Sequence, residues 1–123
     1  MLREMPFRLL AALSILAAIY HVAAFTAPVL AIPGQPWRHA FFAVIGIICA
    51  VNLLRRPEWF VIVFAVLTLQ QLYSHGMRAW EWWYMEHRLD WISFCVILLL
   101  PFILVLLVLD AYTRRSTNHL TKQ

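Results

Sequence analysis

The chain has 123 residues, of which 63% are hydrophobic and 13% charged, with a mean hydropathy of +0.75 and a formal net charge of +4. Soluble domains carry roughly 25% charged residues, so this composition excludes an ordinary water-soluble protein and indicates one domain with the lipid bilayer as its solvent. Nucleic acid is excluded as a partner because the few basic residues flank apolar segments. Cys49 and Cys95 lie inside such segments and are predicted to be small core residues.

The first apolar segment begins after Arg3 and Arg8 and has the charge pattern of a secretory signal. Its apolar stretch, residues 7–29, is longer than the roughly 7–15 residues typical of a signal. A membrane-spanning helix needs about 20 mainly apolar residues, and we predict the first over residues 7–27. One face of this helix carries small and polar residues, namely Ala11, Ser14, Ala18 and His21.

The second apolar segment follows a stretch of three prolines and a glycine, residues 28–36, which predicts a loop. We predict a membrane helix over residues 37–54. Small residues that let helix backbones approach closely are typical of packed membrane helices. The face predicted to pack here carries His39, Ala43, Gly46 and Ala50.

The third apolar segment follows a tight connection at Arg55 and Arg56. We predict a helix over residues 57–75, with Pro57 suited to its first position because proline needs no hydrogen-bonded N–H there. Residues 76–90 form an outer segment rich in tryptophan and carboxylates. We expect it either to lie in the headgroup plane or to extend the third helix beyond the membrane. It serves either as an aromatic belt anchor or as a lid over a polar site.

The fourth apolar segment, residues 91–112, is uniformly aliphatic and aromatic apart from Pro101, which is expected to bend it. It has no stripe of small residues, so we place it at the edge of the bundle, facing lipid or a partner protein. Residues 113–123 are expected to be a frayed polar tail.

Lysine and arginine are distributed unequally between the two ends of the predicted helices. The side with both termini and the second connection carries seven of them, and the other side carries three. The positive-inside rule therefore predicts that both termini are cytoplasmic. The fold expected is all-α: a multi-pass bundle of four transmembrane helices in the cell (inner, cytoplasmic) membrane.

Three predicted helices carry a histidine near their extracytoplasmic ends, on a face suited to packing. Ionisable groups at membrane depth are costly and often mark function. We therefore predict a polar site there. Its candidate metal ligands are His21, His39 and His75; its cofactor-binding residues are these three with Arg38, Gln71 and Trp80; and its supporting residues are Glu81, Glu86, His87 and Asp90.

Imidazoles from several helices can hold zinc or copper, ligate a haem, or bind a quinone carbonyl. Each histidine can equally bond water, a headgroup or a backbone carbonyl and do nothing more. Ser74 and His75 point about 100° apart on a helix, so they form no nucleophile–base pair, and the residues favour a non-enzymatic role. The leading hypothesis is a small integral accessory subunit of a larger membrane assembly, bound to other membrane subunits. The alternative is a haem-, metal- or quinone-binding redox protein.

Overall fold

The computed structural model describes residues 4–27 and 36–120, and nearly all of them are helical. The helices are α1 (Met5–Thr26), α2 (Pro36–Arg55), α3 (Glu58–Glu86) and α4 (Trp91–Leu120). By length and composition all four are able to cross a membrane. The predicted all-helical class and the four membrane-length helices are therefore confirmed.

The chain divides between Arg56 and Pro57 into two compact units. The first unit, hairpin 1, pairs α1 with α2, and the second, hairpin 2, pairs α3 with α4. In each hairpin the end of one helix contacts the beginning of the next, so the two helices run antiparallel. We call the end next to the connection between the two helices the loop end, and the opposite end the open end.

Hairpin 1 packs through small side chains. Ala11 and Ala18 of α1, and Ala43 and Ala50 of α2, are buried. At Gly46 an added Cβ would lie 3.0 Å from the Ala18 Cβ and 3.0 Å from the Ser14 carbonyl oxygen. Because only glycine allows this approach, the backbones of α1 and α2 lie close together, as the predicted faces require.

Hairpin 2 packs through larger side chains. Phe60 and Phe64 of α3 and Ile103 and Leu107 of α4 are buried. α4 lacks a small-residue stripe, as predicted, yet one of its faces packs on α3 because aliphatic side chains three and four residues apart interlock without close backbone approach. Its other face is exposed. The helix continues through Pro101.

α3 is longer than the predicted membrane segment and includes most of the tryptophan-rich outer segment. Its 29 residues span about 43 Å, against about 30 Å for the hydrocarbon core of a bilayer. Of the two alternatives, the extension of the third helix is therefore the one observed. The helix ends at Glu86, and the next residue, His87, adopts a left-handed conformation (φ 52°) and donates its backbone N–H to the Trp83 carbonyl.

α4 also continues beyond its predicted end, and residues 113–120 are helical. Ion pairs support the added turns, because Arg115 contacts Glu58 of α3 at 2.7 Å and so holds the end of α4 against α3. The Thr113 hydroxyl donates to the Leu109 carbonyl, and the Thr117 hydroxyl donates to the Thr113 carbonyl at 2.9 Å. Arg114 forms an ion pair with Asp110 across one turn, at 3.0 Å.

Residues at corresponding places in the two hairpins lie at a constant distance from each other in the sequence. A spacing of 54 residues separates Glu4 from Glu58, Ser14 from Thr68, His21 from His75, and Trp37 from Trp91. The buried residues Leu10, Cys49 and Leu53 of hairpin 1 have the buried residues Phe64, Ile103 and Leu107 as their counterparts. The hairpins are therefore two versions of one helical pair.

Candidate functional site

The loop end of hairpin 1 brings two histidines into direct contact. The Nδ1 atoms of His21, on α1, and His39, on α2, lie 3.0 Å apart. Both side chains are half-buried. Each histidine lies on the small-residue face of its helix. The close packing of α1 on α2 at Gly46 therefore brings the two histidines near each other.

Aromatic rings hold the two imidazoles in place. The Phe42 ring stacks on His21 with the ring centroids 5.5 Å apart, and the Tyr20 ring meets both imidazoles edge-on. A bond between two Nδ1 atoms requires one ring to donate N–H and the other to accept. The pair therefore contains two different tautomers when both rings are neutral.

The loop end of hairpin 2 has a histidine at the corresponding place but a serine opposite it. His75 Nδ1 lies 2.9 Å from the hydroxyl oxygen of Ser93, which is fully buried. In both hairpins the contacting residues are 18 positions apart in the chain. Ser93 is thus the counterpart of His39.

A carboxylate fixes the direction of the hydrogen bonds in hairpin 2. The Ser93 hydroxyl lies 2.6 Å from Asp90 Oδ2, and the Ser93 backbone N–H donates to Asp90 Oδ1 at 3.4 Å. An ionised carboxylate only accepts, so the serine hydroxyl donates to Asp90 and accepts from His75. His75 therefore carries its proton on Nδ1. This makes Asp90 the cap of α4, because its side chain accepts the N–H three residues on.

Asp90 is ionised because its surroundings favour the charge. Burial alone would raise the pKa of the Asp90 carboxyl, but the hydrogen bonds from Ser93 and the charge of Arg78 outweigh it and hold the pKa below its ordinary value. The Arg78 Nε lies 3.2 Å from Asp90 Oδ2. Arg78 also lies over the Trp82 ring, 5.8 Å from its centroid.

Within each hairpin the structure brings some of the predicted site residues together. His21 and His39 are together in hairpin 1, and His75 lies in hairpin 2 with Asp90, joined to it through Ser93. Gln71 is buried one turn before His75 on α3, and its amide donates to the Gln70 side chain at 2.6 Å. The remaining predicted residues are exposed: Arg38, Trp80, Glu81, Glu86 and His87.

The three-histidine metal site stays a prediction. Within residues 4–27 and 36–120, no group of three or more histidine, cysteine, aspartate or glutamate side chains is arranged to hold a metal ion. The largest imidazole group within a single hairpin is the pair of His21 and His39. A metal site in hairpin 1 would therefore start from two imidazole nitrogens.

Sequence reasoning missed Ser93 as a member of the site, although two signals indicate it. Asp90 precedes Ser93 by three residues at the start of an apolar segment, which is the spacing of a helix cap. The 54-residue register also places Ser93 opposite His75, as it places His39 opposite His21.

Ion pairs form at the open end of each hairpin. In hairpin 1, Glu4 lies 3.0 Å from Arg8 and 3.6 Å from Arg56, whose guanidinium sits 5.0 Å from the centroid of the Phe7 ring. In hairpin 2, Glu58 lies 2.7 Å from Arg115. Glu4 and Glu58 hold corresponding positions, so both hairpins are tied by hydrogen bonds at one end and by charges at the other.

No protein-family model matches the chain, and no curated protein or solved structure is significantly similar to it.

Proposed function

We propose that the protein is a small integral accessory subunit of a larger membrane assembly. In this proposal the four helices cross the cell membrane as a bundle with both termini in the cytoplasm, and the loop ends of the hairpins form a polar, histidine-bearing region at the outer face. The lipid bilayer and the transmembrane helices of other subunits are its partners.

The observation that carries the proposal is how little of the described chain lies outside membrane-length helices. Between residues 36 and 120, only the short connections at residues 56–57 and 87–90 are not helical. Such a chain has little material for an independent soluble activity. Its large exposed apolar surface suits contact with lipid or with other membrane helices.

The exposed face of α4 is the surface that we assign to a partner helix. Four large side chains, each more than half exposed, lie on it at spacings of four, three and four residues, namely Leu98, Phe102, Val105 and Leu109. Steps of three and four residues bring side chains back to the same side of a helix, which is how one seam of a helix is kept against another helix. We therefore propose that a transmembrane helix of another subunit packs along this face.

A hydrolytic role is less well supported by the arrangement at Ser93. In a nucleophilic serine the hydroxyl proton passes to the histidine, whereas here the hydroxyl donates to Asp90 and accepts from His75. The arrangement therefore favours a structural role for Ser93, joining α3 to α4 by hydrogen bonds, over the role of an activated nucleophile.

Affinity purification of the full chain from its native membrane in a mild detergent tests the proposal. We expect a complex of defined mass that contains other membrane proteins at fixed stoichiometry. A monodisperse particle that contains only this chain would contradict the accessory role.

A matched pair of variants tests the assigned surface. Phe102→Ala on the exposed face of α4 is expected to weaken recovery of the partner severalfold. Phe25→Ala, at an exposed position of α1, is expected to leave it unchanged. Equal recovery with both variants would show that the partner does not bind along α4.

A further inference from the structure

We infer that the Nδ1 atoms of His21 and His39 form a two-nitrogen chelate for a divalent copper ion at the loop end of hairpin 1. This inference goes beyond the accessory role, and it needs only hairpin 1. It is also narrower than a site of three histidines, because His75 takes no part in it.

The separation of the two nitrogens is the first argument. Metal–imidazole bonds are about 2.0–2.1 Å long, so two atoms 3.0 Å apart can share one ion with an angle of about 94° between the bonds. An angle near 90° is that of neighbouring ligands in square-planar or tetragonal coordination, which is typical of Cu²⁺. Tetrahedral coordination, which zinc prefers, needs the nitrogens a few tenths of an ångström further apart.

The comparison with hairpin 2 is the second argument. There a serine hydroxyl is sufficient to join the two helices at the corresponding place. The second imidazole of hairpin 1 is therefore not required for the tie itself. What His39 adds, relative to Ser93, is a second nitrogen donor facing the first.

The surroundings of the pair are the third argument. Both imidazoles are half-buried, so an ion and its remaining water ligands can reach them. Phe42 and Tyr20 restrict the two rings, which lowers the cost of ordering them around an ion. Of the common divalent metals, Cu²⁺ binds nitrogen sites most tightly.

Binding requires a shift of one proton within the pair. In the metal-free pair one Nδ1 carries the hydrogen of the N–H···N bond. Coordination needs a lone pair on both Nδ1 atoms, so that proton moves to Nε2 of the same ring. Neither neutral imidazole changes its charge, and no proton leaves the pair.

Copper titration of the purified full-length protein tests the site. Metal is first removed with a chelator, and Cu²⁺ is then added against a competing chelator of known affinity. We expect one tight Cu²⁺ per chain. At one equivalent, electron paramagnetic resonance should show a tetragonal centre coupled to two nitrogens, and incorporation of ¹⁵N-histidine should change that coupling.

His39→Ser is the decisive variant, because it gives hairpin 1 the residue that hairpin 2 already has at this place. We expect the variant to stay folded by circular dichroism and to lose the two-nitrogen coupling. Its affinity should fall by at least the 10- to 100-fold that loss of even an outer-shell partner costs at metal sites. His87→Ala, at an exposed histidine outside the pair, should bind as the wild type does.

Two results would overturn the inference. One is a wild type that binds Cu²⁺ no more tightly than His39→Ser. The other is a wild-type spectrum without coupling to two histidine nitrogens, and this result needs no variant to fold. Since every measurement uses the purified chain, the outcome does not depend on whether a partner subunit is found.

Discussion

Hairpins 1 and 2 place different side chains at corresponding positions. Each has an antiparallel helical pair, a glutamate–arginine ion pair at its open end and a histidine contact at its loop end. Hairpin 1 is closed by small residues and by two imidazoles. Hairpin 2 is closed by large apolar residues and by an imidazole, a hydroxyl and a carboxylate. The comparison separates what holds a hairpin together from what is special to hairpin 1.

The close backbone contact in hairpin 1 predicts the largest loss of stability among the variants. Gly46→Leu should destabilise the protein by about 1–3 kcal/mol, because the new side chain meets Ala18 and the backbone of Ser14. Gly76→Leu, in hairpin 2, is the control, because an added Cβ there has nothing within 4 Å. Unfolding in mixed micelles with increasing SDS measures both. Equal losses would show that α1 and α2 are not closely packed.

The hydrogen bonds of Ser93 in hairpin 2 predict the next largest loss of stability. Ser93→Ala should cost about 1–3 kcal/mol, since it leaves the buried end of the helical pair without the hydroxyl that joins His75 to Asp90. Ser74→Ala should change the free energy of unfolding by less than about 0.5 kcal/mol, because its hydroxyl donates to the Gln71 carbonyl of its own helix and so joins no second helix. The same SDS titration compares the two, and a larger loss for Ser74→Ala would rule out the tie.

A buried hydroxyl in hairpin 2 predicts that its removal leaves the protein as stable or makes it more stable. Thr68 is buried, and its hydroxyl has no hydrogen-bond partner within the described part of the chain. Thr68→Val keeps the shape and removes the unpaired group, so it should leave stability unchanged or raise it by up to about 1 kcal/mol. Ser14 holds the corresponding position in hairpin 1 and bonds to the Leu10 carbonyl, so Ser14→Ala should give no such gain. A loss above about 1 kcal/mol for Thr68→Val would mean that this hydroxyl is bonded.

The charge on Asp90 predicts the smallest effect, a dependence of stability on pH. Its pKa is lowered in the folded protein, so its contribution is present above the ordinary carboxyl pKa of about 3.9 and is lost as the pH falls through the lower, folded-state value. Unfolding should therefore become easier between about pH 5 and about pH 3, and Asp90→Asn should flatten that part of the curve. A variant whose pH dependence equals that of the wild type would contradict the role of Asp90 as an ionised cap.

The sequence was sufficient to predict the helices and two of the packing faces. Each helix contains about 20 apolar residues, and in α1 and α2 the small residues select one face without any knowledge of the partner. The contact between His21 and His39 follows from those faces, because the histidines continue them towards the loop.

The partner of His75 and the ends of the long helices were not predicted. The position of Ser93 opposite His75 depends on where α3 stops, and that end is set by the left-handed conformation of His87, a residue type that carries no strong stop signal. The helical tail of α4 is supported by ion pairs of Arg114 with Asp110 and of Arg115 with Glu58. A polar composition alone does not distinguish such a helix from a frayed tail.

Nuclear magnetic resonance of ¹⁵N-histidine-labelled, metal-free protein detects the contact between the two imidazoles of hairpin 1 without any variant. The structure predicts a scalar coupling across the N–H···N bond between Nδ1 of His21 and Nδ1 of His39, with one ring in each tautomer. Two uncoupled rings in the same tautomer would contradict it.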